Sequence, residues 1–133
     1  MRILFIISAS IAIKRCYEIL EKLSSSNIFI DCIVTNNAKK MSNLSKFQKI
    51  IKGKIYSDAS EKNNSMLHIS LTRKNDLVVV CPATANIIAK FANGYSDNLA
   101  SSALLASDKK IIFVPAMNKE MWNNPINQRN ILN

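Results

Sequence analysis

The chain opens on an apolar run, Arg2 to Ser8, that shows no polar alternation. Runs of this kind read as strands buried on both faces, as in a parallel sheet. From Ser10 to Leu23 the period changes. Ile13, Tyr17, Leu20 and Leu23 recur at helical spacing, while Lys14, Glu18, Glu21 and Lys22 fall mostly off that stripe. Ser24 to Asn27 break the helix, and a second strand is predicted from Ile28 to Val34, with a polar stop at Thr35, Asn36 and Asn37. Strand, helix and strand in close succession form a βαβ unit, whose crossover should be right-handed.

The stretch from Ala38 to Lys52 is rich in lysine and predicts a helix, and residues 57–65 read as a polar loop. A third strand is predicted from Asp76 to Cys81, stopping at Pro82. A helix follows from Thr84 to Ala92, ending at Asn93-Gly94, where glycine supplies the left-handed cap. Another helix is expected from about Asp97 to Ala106, and a fourth strand from Ile111 to Val114, halted by Pro115. No repeat, linker or domain boundary interrupts this order. The fold class it predicts is α/β: a Rossmann-like (flavodoxin-like) parallel sheet with helices on both faces, one domain over residues 1–133.

Composition narrows the function classes. Apolar residues are 48% of the chain, enough for a core. No apolar run reaches the roughly 18 residues that span a bilayer. Lys14 and Arg15 interrupt the N-terminal run where a signal peptide would continue. No membrane association and a cytoplasmic location are expected. Cys16, Cys32 and Cys81 are odd in number and far apart, which points to reduced core thiols, with no disulfide framework and no metal site. The net charge of +9 is spread along the chain without interleaved aromatics. A nucleic-acid partner is therefore not expected, whereas a phosphate-bearing small ligand would be attracted.

In parallel sheets ligands bind beyond the carboxyl ends of the strands, so the segments just after each strand are the candidates. After the first comes Ser8-Ala9-Ser10-Ile11-Ala12, leading into a helix N-terminus whose amide groups and dipole favour a phosphate. Ser10 as a plain N-cap is the competing reading. The G-x-G-x-x-G pattern of ordinary dinucleotide sites is absent. After the third strand, Pro82-Ala83-Thr84-Ala85-Asn86 lets a flat ligand approach the backbone. After the fourth, Pro115-Ala116-Met117-Asn118 puts a carboxamide at the same edge. His68 is the only histidine and is read as lying just ahead of a strand. A lone histidine is more often structural than catalytic. The residues alone indicate an α/β protein that binds a phosphate-bearing small molecule.

The chain also resembles the homo-oligomeric flavin-containing cysteine decarboxylases, most of all their phosphopantothenoylcysteine branch in coenzyme A biosynthesis. The resemblance is collinear from Arg2 to the end. It runs through Ser10-Ile11-Ala12, His68-Ile69, the stretch from Pro82 to Lys90, Gly94-Tyr95-Ser96-Asp97-Asn98-Leu99, and the stretch from Pro115 to Trp122. It implies FMN at a subunit interface of a trimer or multiple of trimers, with the phosphate near Ser8, Ser10 and Thr35. Pro82, Ala83, Thr84, Ala85 and Asn86, with Ser101 or Ser102, would flank the ring system. His68 would be the catalytic base, and Asn118 would contact the substrate carboxylate. Asn86, Asp97, Asn98 and Met117 would complete the pocket. The implied reaction converts 4′-phosphopantothenoylcysteine to 4′-phosphopantetheine: flavin accepts a hydride equivalent, carbon dioxide leaves, and hydride and proton are then returned.

Two departures accompany the resemblance. The family's first loop usually carries glycines where this chain has Ile6 and Ala9, and a β-carbon at Ala9 would crowd the phosphate if that position needed an unusual backbone angle. Relatives also continue into a glycine-rich flap bearing a cysteine, so the domain is expected to be truncated after Asn133, with the flap or a synthetase domain on a separate chain, cut away or lost. The alternatives are a flavin-binding regulatory subunit and an oxidative decarboxylase of C-terminal peptide cysteines.

Overall fold

The computed structural model describes residues 1–62 and 66–133. Strands β1 (Arg2–Ile7), β2 (Phe29–Val34), β3 (Ile55–Tyr56), β4 (Leu77–Ala83) and β5 (Lys110–Pro115) form one sheet in the order β3-β2-β1-β4-β5, every pair parallel. The order reverses direction at β1, which pairs with β2 on one side and β4 on the other. The gap between the diverging connections opens there, at the strands' carboxyl ends. The predicted fold class is the observed one.

Between the strands run helices α1 (Ile13–Ser25), α2 (Asn36–Met41), α3 (Leu44–Ile50), α4 (Asp58–Glu61), α5 (Leu67–Lys74), α6 (Ala85–Ala92) and α7 (Leu99–Ala106). After β5 come α8 (Lys119–Asn123) and α9 (Pro125–Leu132). Alternation along β1 divides the core. Ile3, Phe5 and Ile7 pack with Ile13, Cys16 and Leu20 of α1 and with Phe47 of α3. Leu4 and Ile6 face the other way, onto Leu71 of α5, Ile87 of α6 and Leu104 of α7. Both faces of β1 are thus buried, which is why its sequence is uninterrupted apolar.

Several boundaries differ from the sequence expectation. The single helix expected over 38–52 is two helices, because Asn43 accepts the backbone N–H of Ser45 at 3.1 Å and so starts α3 afresh. The expected loop over 57–65 contains α4, and its residues 63–65 lie outside the described residues. The first helix starts at Ile13 with Ala12 as its N-cap residue. Ser10 is therefore not the cap: its Oγ accepts the Ala12 N–H at 3.1 Å in the turn ahead. Pro82 does not stop its strand. The Cys81–Pro82 bond is cis, the pairing with β5 shifts register between Val80 and Ala83, and Ala83 pairs with Pro115. The strand expected fourth is fifth in order, because β3 is two residues long and has no period to read. His68 lies in the first turn of α5, because Leu67 and Leu71 continue a helical stripe buried against the sheet.

Asp31 is a buried charge within β2. Lys74 pairs with its carboxylate at 3.2 Å, and the Lys54 N–H donates to it at 3.0 Å, so the charge is neutralised between β2, α5 and the segment entering β3. No helix among the described residues is long and apolar enough to cross a membrane.

Candidate active site

Each strand of the sheet delivers, just beyond its carboxyl end, a residue that lines one cavity of about 450 Å³. Ser8 follows β1, Thr35 follows β2, Asp58 follows β3, Thr84 follows β4 and Ala116 follows β5. A parallel sheet makes this convergence automatic, since all carboxyl ends lie on one edge.

The polar side of the cavity is set by local hydrogen bonds. Ser8 is buried; its Oγ donates to the Pro82 carbonyl and accepts the Thr84 N–H at 3.3 Å, tying the ends of β1 and β4 together. Thr35 caps α2 by accepting the Ala38 N–H at 3.3 Å, and Thr84 caps α6 by accepting the Ile87 N–H at 3.4 Å. Asp58 accepts the Leu99 N–H at 2.9 Å, fixing the start of α7 to the start of α4. Helix α6 lines the cavity with Ala85, Asn86, Ile87 and Lys90, and the segment around α8 adds Ala116, Met117 and Met121.

The sequence reading placed eight of its candidates where the cavity is: Ser8, Ser10, Thr35, Thr84, Ala85, Asn86, Asn98 and Met117. The others do not line it. Pro82 and Ala83 form the buried end of β4. Ser101 is buried; its backbone N–H donates to Asn98 Oδ1 at 2.8 Å and its Oγ accepts the Asn98 N–H at 3.1 Å, closing a capping box at the start of α7. Ser102 shares a hydrogen bond with Ser96 at 2.6 Å. Asp97 pairs with Lys90 at 3.1 Å, and that contact holds its carboxyl below the ordinary aspartate value, with a hydrogen bond from Ser101 assisting. Asn118 caps α8, its Oδ1 accepting the Met121 N–H at 2.8 Å, which leaves its NH₂ group as the part able to meet a carboxylate.

His68 stands off the cavity, on α5, with Nδ1 2.7 Å from Glu61 Oε2 at the end of α4. The same short helix that presents Asp58 to the cavity therefore presents Glu61 to His68.

The cavity also uses residues to which the sequence reading gave no role: Asn36, Asn37, Asp58, Lys90 and Met121. Asn36 and Asn37 obey the after-strand rule directly. Asp58 obeys it too, once β3 is recognised.

The donor set suits a flavin mononucleotide. Neutral hydroxyl and amide groups gather at the ends of β1 and β2, where a phosphate would gain hydrogen bonds without carboxylate repulsion. Small and apolar residues on the α6 and α8 side leave room for a flat ring. Asp58 and Lys90 are the formally charged residues lining the cavity. Among the described residues only Asn27, outside this loop, has a positive φ without being glycine, so Ala9 needs no left-handed backbone. Among the described residues no cluster of histidine, cysteine and acidic side chains could hold a metal.

Comparison with known proteins agrees with this chemistry. A family profile described as Flavoprotein matches residues 1–133. A probable phosphopantothenoylcysteine decarboxylase of Streptococcus mutans is 33% identical over 134 residues, covering 98% of this chain and 75% of the relative. The coenzyme A biosynthesis bifunctional protein of Bacillus subtilis is 34% identical over 131 residues. That alignment covers 97% of this chain and 32% of the relative, so this chain spans about a third of it. Among solved structures, the FMN-dependent cysteine decarboxylase TvaF from thioviridamide biosynthesis superposes with a TM-score of 0.92 at 25% identity, covering 98% of this chain and 82% of that one.

Proposed function

This chain belongs to the Flavoprotein family, and we propose that it is the FMN-dependent decarboxylase that converts 4′-phosphopantothenoylcysteine to 4′-phosphopantetheine in coenzyme A biosynthesis. The observation that carries the reading is the cavity at the strand ends, polar at Ser8, Ser10 and Thr35 and apolar at Ala85 and Met117, beside the carboxamide of Asn118. Streptococcus mutans and Bacillus subtilis relatives that share about a third of its sequence carry names from the same pathway, which favours the small-molecule substrate over a peptide.

When bound, the flavin supplies the two-electron acceptor that makes loss of carbon dioxide from the cysteinyl group easy. Ser8, Ser10, Thr35 and the adjoining amides would hold its phosphate, and the Thr84 to Asn86 turn would support its ring. Asn118 donates its NH₂ to the substrate carboxylate and orients it as the leaving group. His68 handles the proton, as imidazole does near neutral pH. Lys90, held by Asp97 at the cavity wall, offers the phosphate-bearing substrate a cation.

The reading includes a homo-oligomer, a trimer or a multiple of trimers, with flavin at a subunit interface. Two features support it: His68 lies off the cavity of its own chain, and Ile112 and Val114 of β5, Trp122 of α8 and Ile126 of α9 are exposed large apolar side chains.

The test is the visible absorption of the purified protein, followed by anaerobic addition of 4′-phosphopantothenoylcysteine. A bound flavin that bleaches on addition supports the reading. A protein that takes up no FMN on reconstitution, or whose flavin stays oxidised, sinks it. Mass spectrometry then separates the oxidative peptide chemistry, whose product is lighter by two hydrogens.

A further inference from the structure

We propose that Glu61 is a positioning residue for His68: its carboxylate holds the imidazole as the Nδ1–H tautomer and so makes Nε2 the atom that takes the proton from the substrate. This rests on the catalytic reading of His68 given above.

Glu61 Oε2 lies 2.7 Å from His68 Nδ1 and also accepts the backbone N–H of His68 at 3.0 Å. One oxygen thus receives two donors from a single residue. That N–H is among the groups a helix leaves without an intrahelical partner in its first turn. The backbone contact fixes where the oxygen sits, and the ring contact fixes which way the ring faces. Glu61 and His68 are respectively 24% and 25% exposed, so the pair is partly shielded rather than a solvated surface contact.

The tautomer follows from elementary chemistry. An ionised carboxylate has no proton to give, so a neutral imidazole facing it must donate from Nδ1. The lone pair then resides on Nε2, on the far side of the ring. A base needs that lone pair aimed at the substrate and its other nitrogen anchored by a third group. When Nε2 gains a proton, both ring nitrogens carry hydrogen and the imidazolium stands beside the Glu61 carboxylate, so the charge that develops is opposed in place. The anchor is tied to the cavity as well. Glu61 closes the four-residue helix whose first residue, Asp58, lines the cavity and accepts the Leu99 N–H at the start of α7.

His68 is the only histidine of the chain, so protein labelled with ¹⁵N in its histidine ring gives a single imidazole in long-range ¹H–¹⁵N spectra. At a pH where the ring is neutral, the full chain is expected to show the Nδ1–H form. Glu61→Gln should keep it: the backbone N–H of His68 requires an acceptor, so the amide must present its oxygen. Glu61→Ala should release the ring to a mixture rich in Nε2–H. Turnover of 4′-phosphopantothenoylcysteine should fall by roughly tenfold or more in Glu61→Ala, with KM and flavin content near those of the parent, and recover in Glu61→Gln.

An Nε2–H ring in the parent protein overturns the proposal, as does a Glu61→Ala variant whose tautomer and turnover are both unchanged. Should Glu61→Ala fail to fold, the parent and Glu61→Gln spectra decide it, and Nε2–H in either is fatal. The catalytic reading fails separately: a His68→Gln variant with undiminished decarboxylation removes His68 from the chemistry whatever the spectra show.

Discussion

The hydroxyl of Ser8 accepts a hydrogen bond from the backbone N–H of Thr84 at 3.3 Å, although 76 positions separate the two in sequence. The same hydroxyl donates to the carbonyl of Pro82. Two neighbouring strands are joined at the edge where the cavity opens. Ser8→Ala would leave the carbonyl and the N–H without this partner in a buried place. A loss of about 1–3 kcal/mol in unfolding free energy is expected, with weaker FMN retention. Urea denaturation with and without FMN measures both, and an unchanged midpoint would show that the staple is immaterial.

Asn118 separates folding from chemistry. Its Oδ1 caps α8 and its NH₂ is the donor proposed for the substrate carboxylate. Aspartate caps a helix about as well as asparagine but offers no NH₂. Asn118→Asp is expected to keep the parent melting temperature and raise KM by about tenfold or more, the range of a hydrogen bond to a charged group. Equal KM values would remove Asn118 from substrate recognition.

The Lys90–Asp97 contact predicts a pH dependence. Lys90 holds the Asp97 carboxyl below its ordinary value of 3.8. A depressed carboxylate contributes stability above its unfolded value and loses it as pH falls through the folded one. Below 3.8, stability of the parent should therefore drop more steeply than that of Asp97→Asn, and added salt should shrink the difference because the carboxylate is exposed. Parallel acid limbs in thermal unfolding would contradict this.

The cysteines should be inert in the native state. Burial, and secondarily the charge of Asp31, push the Cys32 thiol up, and Cys16 is pushed up by its 2.9 Å contact with Cys81 together with burial. The same contact lowers the Cys81 thiol, so burial alone shields it. A thiol reagent at neutral pH should label Cys16, Cys32 and Cys81 only after denaturation. Rapid labelling of the native protein would show an open route to the core.

Gly53 is required by space. A β-carbon there would collide with the carbonyl oxygen of Ile30 and with the carboxylate of Asp31, neither of which is free to withdraw. Gly53→Ala should cost about 1–3 kcal/mol, as overpacking does. Chemical denaturation gives the value directly, and a neutral result would mean that the 51–54 segment yields easily.

The chain's own pattern determined the layered sheet, the strands that carry it and most of the cavity. The apolar run at 3–7 and the run at 28–34, broken only by Asp31, read as strands covered on both sides. In a parallel sheet the residues that follow such strands share one edge, which makes Ser8 and Thr84 legible as neighbours, whereas the role of Thr35 came only from the family resemblance. Gly94 was legible as a left-handed cap, and its φ is +73°.

What the tertiary structure alone decided involves elements too short to show a period and contacts too distant to leave a local trace. The two residues of β3 and the four of α4 hold their form because neighbours hold them, so Asp58 and Glu61 carried no signal of their own. The bond between Ser8 and Thr84 exists because β1 lies beside β4. That adjacency is set by how both sheet faces bury their side chains together, a property of the whole chain that no single window contains. The pairing of Glu61 with His68 is of the same kind, since it depends on where α4 and α5 meet.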